Sequence, residues 1–257
     1  MLHRPTESAA RQSSGLEIRL DLRWLARGVM LVSAAILAVS YVRLGMILAF
    51  GAETPIGNFR FFDLDEEQSI PTWYSSLLLF CCAVLLLTIS RLVGRTGGVD
   101  LTRWTALSGV FAYLAMDEAV SIHERASQPL RDTLGLSGVF HYAWIIPASV
   151  LLAAFCLYML PFMFRLPRRT AVRFAAAGAV FVSGALGIEI VGGVIVSQSG
   201  TEVAAYQIAV TIEESLEIIG TTLFFAALVD HMARTWPSWT MAVRSALGPP
   251  ALPTSAV

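Results

Sequence analysis

The chain contains no lysine: its 18 basic residues are all arginine. Arginine is therefore the only strong base from which orientation or counter-charge can be read. Charge of either sign is scarce, at 14% of residues, and only three cysteines are present. Cys81, Cys82 and Cys156 all fall in apolar runs, so neither a disulfide framework nor a zinc-ligand spacing is expected. No glycine-rich phosphate loop, no Ser-x-Gly elbow and no basic patch for nucleic acid occurs, so a nucleic-acid partner is not expected.

What is abundant is apolar. Hydrophobic residues make up 56% of the chain, and the mean hydropathy is +0.66. That balance excludes an ordinary soluble domain and makes the lipid bilayer the expected partner. A helix crossing the hydrocarbon needs roughly 20 mostly apolar residues. Six such runs are read, at 28–50, 71–90, 104–122, 141–163, 174–196 and 205–232. In lipid each must be helical, because the backbone finds no water to bond. The expected fold is all-α, one polytopic bundle of six helices over 28–232. Residues 1–27 form a leading segment and 233–257 a disordered tail. Pro71 suits a first helical turn, and Pro161 with Pro167 marks the end of the fourth helix.

Arginines crowd the ends and alternate connections: Arg4 to Arg27, Arg91 to Arg103, Arg165 to Arg173, and Arg234 with Arg244. Arg60, Arg125 and Arg131 alone fall in the opposite loops. The positive-inside rule then puts both termini in the cytoplasm of a bacterial inner-membrane protein. A cleaved signal peptide fits poorly, because the polar lead is long and Arg43 lies within the first run. The stretch GLEIRLDLRWLARG either lies along the inner interface or leads as a solvated tail into the first helix.

Acidic residues follow the opposite rule. Glu7, Glu17, Asp21, Asp100 and Asp230 lie on the arginine side, and the other carboxylates on the far side or in the far halves of helices. At about 1.5 Å of rise per residue, Asp117 and Glu118 of the third helix, Glu189 of the fifth and Glu213, Glu214 and Glu217 of the sixth share one layer. It is expected between the midplane and the outer interface. Such residues usually face a bundle interior or a water-filled cavity. On the sixth helix Tyr206, Gln207, Glu213, Glu214, Glu217 and Thr221 fit one arc of about 120°. On the third, Asp117, Glu118, Ser121, Glu124 and Arg125 fit a similar arc. His123 falls about 100° off it unless the helix ends or unwinds there.

Carboxylates so close in a low dielectric need neutralising. Arg43 and Arg125 are the candidate counter-charges; shared protons, a cation or water are the other means. An oxygen-rich ligand set suits hard ions, so a divalent metal ion is the candidate cofactor, with His123 and His141 as nitrogen donors at the rim. The di-iron spelling Glu-x-x-His is replaced by Glu214-x-x-Glu217. Ala185 and Gly193 flank Glu189 at four-residue spacing, and Ala179, Ser183 and Gly187 form a second small stripe, which points to close helix packing. In the first outer loop, Asp63, Asp65, Glu66 and Glu67 lack the calcium-loop pattern and read as a solvated acidic loop that could cap the layer.

The stretches PTWYSS, DEAVSIHE and EESLE resemble uncharacterised bacterial multi-pass membrane proteins, a resemblance that covers most of the chain and implies no activity. Ceramidase-type membrane hydrolases, with seven helices and a histidine-rich zinc site, differ in helix number and in having a His-x-x-x-His pair. Three readings stay open: a proton or cation site in a small coupled transporter, expected as a homodimer; a membrane-embedded metal-dependent enzyme acting on a lipid-like substrate; and an acidic network that serves packing alone.

Overall fold

The computed structural model describes residues 22–51 and 59–236, and every described element is helical. In chain order the elements are α1 (Leu22–Phe50), α2 (Ile70–Arg95), α3 (Leu101–Val120), α4 (Ile122–Leu134), α5 (Ile145–Arg165), α6 (Arg168–Val182), α7 (Glu189–Ser199) and α8 (Ala204–Thr235). A π-helical turn over Ser183–Ile188 joins α6 to α7 as one continuous rod. Of the leading segment, 1–21 lies outside the described residues, and so does the tail beyond 236.

Five helices are long and apolar enough to cross a membrane: α1, α2, α5, the α6–α7 rod and α8. The faces they turn outward are apolar, with Leu151 70% and Leu157 72% exposed on α5, as lipid contact requires. Helix α3 is 20 residues long but carries Arg103, Asp117 and Glu118, and so falls outside that set. It nevertheless runs antiparallel along α2. Ser76 donates to the Ala115 carbonyl at 2.7 Å, Ser108 to the Ala83 carbonyl at 2.8 Å, and the Ser90 and Thr105 hydroxyls meet at 2.7 Å.

Local chemistry explains most boundaries. Ser69 caps α2 by accepting the Thr72 N–H at 3.3 Å, and Pro71 sits in the first turn, where its missing N–H costs nothing. Pro161 does not end its helix as expected. It lies within α5, which continues to Arg165, and Pro167 instead forms the N-cap of α6.

Helix α8 is the axis, with 61% of its most apolar stretch buried against 17% for α5. At its mid-height Thr222 and Tyr74 of α2 both place hydroxyls 2.7 Å from Ser33 Oγ of α1, which ties three helices together. Toward the arginine-rich end, aromatic rings fill the interior. Phe111 stacks on Phe224 at 4.5 Å, Phe224 meets Phe174 at 4.7 Å, and Trp104 packs on Phe162 at 4.9 Å and on His231 at 5.3 Å. This slab is dry and apolar, and it stands between the two charged ends of the bundle.

Candidate functional site

Both ends of the bundle are charged, in opposite senses. At one end Asp100 receives two hydrogen bonds from Arg165 and one from Arg103, and Asp230 receives them from Arg173 and Arg234. The Arg165 contact holds the Asp100 carboxyl below its ordinary range, against the cost of burial. Seventeen residues separate Asp100 from Asp117 on α3, seventeen separate Asp230 from Glu213 on α8, and sixteen separate Arg173 from Glu189 on the α6–α7 rod. At about 1.5 Å per residue these intervals are all about 24–26 Å. Three helices thus measure the same distance from an arginine belt to a carboxylate layer. That interval is somewhat shorter than a hydrocarbon core of about 30 Å.

The layer begins at a break in the chain. Helix α3 ends at Val120, and Ser121 takes φ +51°, the only described non-glycine residue with a positive φ. That left-handed residue turns the chain so that the next helix starts on a new axis. His123 is thereby swung back over α3. Its backbone N–H donates to Asp117 Oδ1 at 3.0 Å, and its Nδ1 lies 2.7 Å from Asp117 Oδ2. The sequence arc that left His123 out assumed an unbroken helix. The same break separates Glu124 and Arg125, which belong to α4, from Asp117 and Glu118.

From His123 the contacts run inward through a residue that the sequence did not single out. The Trp144 ring lies 4.6 Å from the imidazole, and its Nε1–H donates to Glu189 Oε1 at 2.9 Å. Glu189 in turn lies within electrostatic reach of Glu213. Asp117 and Glu189 are buried, and Glu118, Glu213, Glu214 and Glu217 are half-buried. Glu214 lies within electrostatic reach of Glu118, Glu217, Asp65 and Glu189, and Glu217 within reach of Glu118, Glu189 and Asp117. Six carboxyl groups from α3, α7 and α8 are therefore linked pairwise by electrostatic interaction alongside α8. Ser75 of α2 lies against Glu118.

Close packing beside the α7 carboxylate is carried by Gly193, which the sequence stripe included, and by Gly184, which it did not. A Cβ on Gly184 would stand 2.7 Å from the Glu213 carbonyl oxygen, and one on Gly193 3.3 Å from His141 and Tyr142, whereas Gly187 has open space. The π turn inserts a residue into the helical count and rotates α7 relative to α6. Four-residue spacing carried through it therefore included Gly187 and passed over Gly184.

The arginines expected as counter-charges act on the acidic loop that adjoins the layer, Arg43 also on Asp65, which is within electrostatic reach of Glu214. Arg43 pairs with Asp63 at 2.6 Å, and exposed Arg125 acts on Glu67. His141 is also turned away, its Nε2 2.9 Å from Arg131, whose charge together with burial lowers its pKa. The first loop is more ordered than a solvated loop. Leu64 and Ser69 are buried, Arg60 pairs with Glu66 at 2.7 Å, and Tyr206 donates its hydroxyl to Asp65 at 3.1 Å. Glu67 reaches Ser121 and Glu124. Burial and the Glu67 contact push the Glu124 carboxyl up to about 7. Gln207 is half-buried one turn before Thr211, whose hydroxyl donates to its carbonyl at 2.7 Å.

Nitrogen and sulfur are sparse here. Among the described residues, no three His, Cys, Asp or Glu side chains converge closely enough to hold a metal ion, and the three cysteines are free thiols. What the arrangement offers is oxygen acceptors, one oriented imidazole and two buried hydroxyls, of Ser75 and Thr221.

Apolar helices of membrane-crossing length, with a carboxylate layer at one end, define an all-helical multi-pass membrane protein. Within that class the chain belongs to the family described as Domain of unknown function (DUF8692), whose model matches residues 28–232. No curated protein and no solved structure matches it.

Proposed function

We propose that the chain crosses the bacterial inner membrane six times, with both termini in the cytoplasm, and that its outer carboxylate layer takes up and releases protons. The sixth crossing is α3. It lies antiparallel along α2 and spans the same belt-to-layer interval as α8 and the α6–α7 rod.

The observation that carries the proton reading is the connected set from Asp117 and His123 through Trp144 to Glu189 and Glu213. Ionised carboxylates only accept hydrogen bonds, so a close approach of two carboxyls in a low dielectric favours a proton between them in this reading. The imidazole at the rim exchanges protons in the physiological range. Asp117 fixes its tautomer: with the proton on Nδ1 directed at Asp117, Nε2 is the nitrogen that takes and gives protons. The dry aromatic slab below the layer closes this state toward the cytoplasm. In a proton-coupled transporter that slab is the inner gate.

A second reading rests on the same dyad, for an imidazole oriented by a buried carboxylate is also a general base. In a membrane-embedded enzyme, His123 activates a nucleophile at the outer interface for a lipid-like substrate.

The test is infrared difference spectroscopy across a pH titration of detergent-purified protein, together with proton flux into liposomes carrying a pH-sensitive dye. A carbonyl band of protonated carboxyl that titrates in the wild type and is diminished in Glu213→Gln is expected. Flux that disappears in Glu213→Gln identifies transport, and the band without flux directs attention to the enzyme. A spectrum with no titrating carboxyl band sinks the proton site.

A further inference from the structure

Ser75 and Thr221 each have 1% of their surface exposed, and neither hydroxyl oxygen reaches a hydrogen-bond partner. Ser40 of α1, 3% exposed, has the same property. Buried polar atoms without partners are rare in native structures, and each implies an ordered water or ion. Three in one bundle are informative because of where they lie.

Ser75 follows Tyr74 and Thr221 precedes Thr222, and the Tyr74 and Thr222 hydroxyls converge on Ser33. Both orphan hydroxyls thus belong to residues adjoining the junction of α1, α2 and α8. Ser40 lies two turns above Ser33 on the same face of α1. Ser75 lies against Glu118 without completing a hydrogen bond of normal geometry. Thr221 stands one turn below Glu217, on the same face of α8, and Glu217 is within electrostatic reach of Glu118. Glu118 and Glu217, with Ser75 beside the first and Thr221 one turn from the second, thus bring two half-buried carboxyl groups and two buried hydroxyls to the inner side of the layer. Every donor is oxygen.

We propose that Glu118, Glu217, Ser75 and Thr221 bind a small hard cation, with Na⁺ as the probe. The proposal deepens the preceding reading and rests on it, since it names a ligand that shares the same carboxylate layer. An all-oxygen set suits hard ions and gives thiophilic metals no ligand of their own. A hydroxyl presents lone pairs to a cation without adding charge, so a single ionised carboxylate of the two balances one Na⁺ and the other carboxyl coordinates in its neutral form.

The experiment is thermal unfolding of the full-length protein in detergent, in NaCl against choline chloride at equal ionic strength. It is read beside the broadening of the sodium NMR line by the protein. In the wild type, Na⁺ is expected to raise Tm by roughly 5–10 °C at a hundredfold excess over Kd and to broaden the line. Thr221→Val and Ser75→Ala keep the shape of the core while removing the oxygen, and both are expected to lose the Na⁺ effect while unfolding normally in choline. Equal Tm in the two salts with no line broadening overturns the proposal, leaving the hydroxyls to water alone. An effect undiminished in both variants overturns the location. The Glu213→Gln infrared titration on the same preparations separates the two readings. A titrating carboxyl band without any Na⁺ effect keeps the proton site and removes the cation. A Na⁺ effect without that band does the reverse.

Discussion

Asp117 decides what His123 can do. Burial works against a charged imidazole here, but the Asp117 hydrogen bond and charge, with Glu189 and Glu124 behind them, outweigh it and hold the His123 pKa above its ordinary value. The contact's contribution to stability is therefore complete below the ordinary histidine pKa and is lost as pH rises through the raised one. Asp117→Asn keeps an acceptor for Nδ1–H but removes the charge. The burial cost is then less opposed, and His123 is expected to titrate at lower pH than in the wild type, as tracked by its ring resonances in NMR. An unchanged titration would move the stabilising charge to Glu189 or Glu124. Little of this pairing was legible in the sequence. Asp117 and His123 are six apart, a spacing that an unbroken helix puts on different faces. Only Ser121, a non-glycine residue in a left-handed conformation, brings them together. A serine carries no strong signal for that conformation, whereas a glycine there would have suggested it.

At the scale of elements, the α6–α7 rod sets the distance between Glu189 and α8. Its π turn lies directly beneath Glu189 and brings Gly184 against the backbone of Glu213. That approach leaves no room for a methyl group. Gly184→Ala is expected to lower stability by about 1–3 kcal/mol, the usual cost of overpacking a closely fitted site, and to part the Glu189 and Glu213 carboxyls. Gly187→Ala, with open space around its Cβ, is expected to be neutral. Thermal unfolding in detergent compares the two, and a Gly184→Ala protein as stable as the wild type would show that the rod can slide. The abundance of small residues near Glu189 did announce close packing. Which glycine carries it was hidden, because a π turn breaks the four-residue period and leaves no composition mark of its own. Trp144 escaped for a similar reason. A lone aromatic beside a helix start reads as an interfacial anchor, and only the fold places its Nε1–H on Glu189.

Across the whole molecule, charge is arranged by height. Arginine pairs with Asp100 and Asp230 at one end, aromatic rings fill the interior toward that end, and carboxylates gather about 24–26 Å from the belt at the other. This plan was the most legible part of the sequence, because long apolar runs and the sorting of arginine from acid are one-dimensional signals. The sequence counts α3 among six crossings, whereas its charges keep it out of the five helices apolar enough to cross by composition, while α2 covers its flank. The question of five or six crossings is open to a direct measurement. With α3 crossing, the turn after α2 and the helix α4 lie on opposite sides of the membrane; with α3 returning to its own side, they share one. Val99 is 83% exposed in that turn, and the Asp132 side chain is 65% exposed on α4. In a background with Cys81, Cys82 and Cys156 replaced by alanine, Val99→Cys and Asp132→Cys would each be treated with a membrane-impermeant maleimide on intact spheroplasts. Labelling of Asp132→Cys alone, with Val99→Cys reacting only after lysis, is expected from six crossings and a cytoplasmic N-terminus. Protection of both would mean that α3 does not cross, and the carboxylate layer would then need another route to the outer surface.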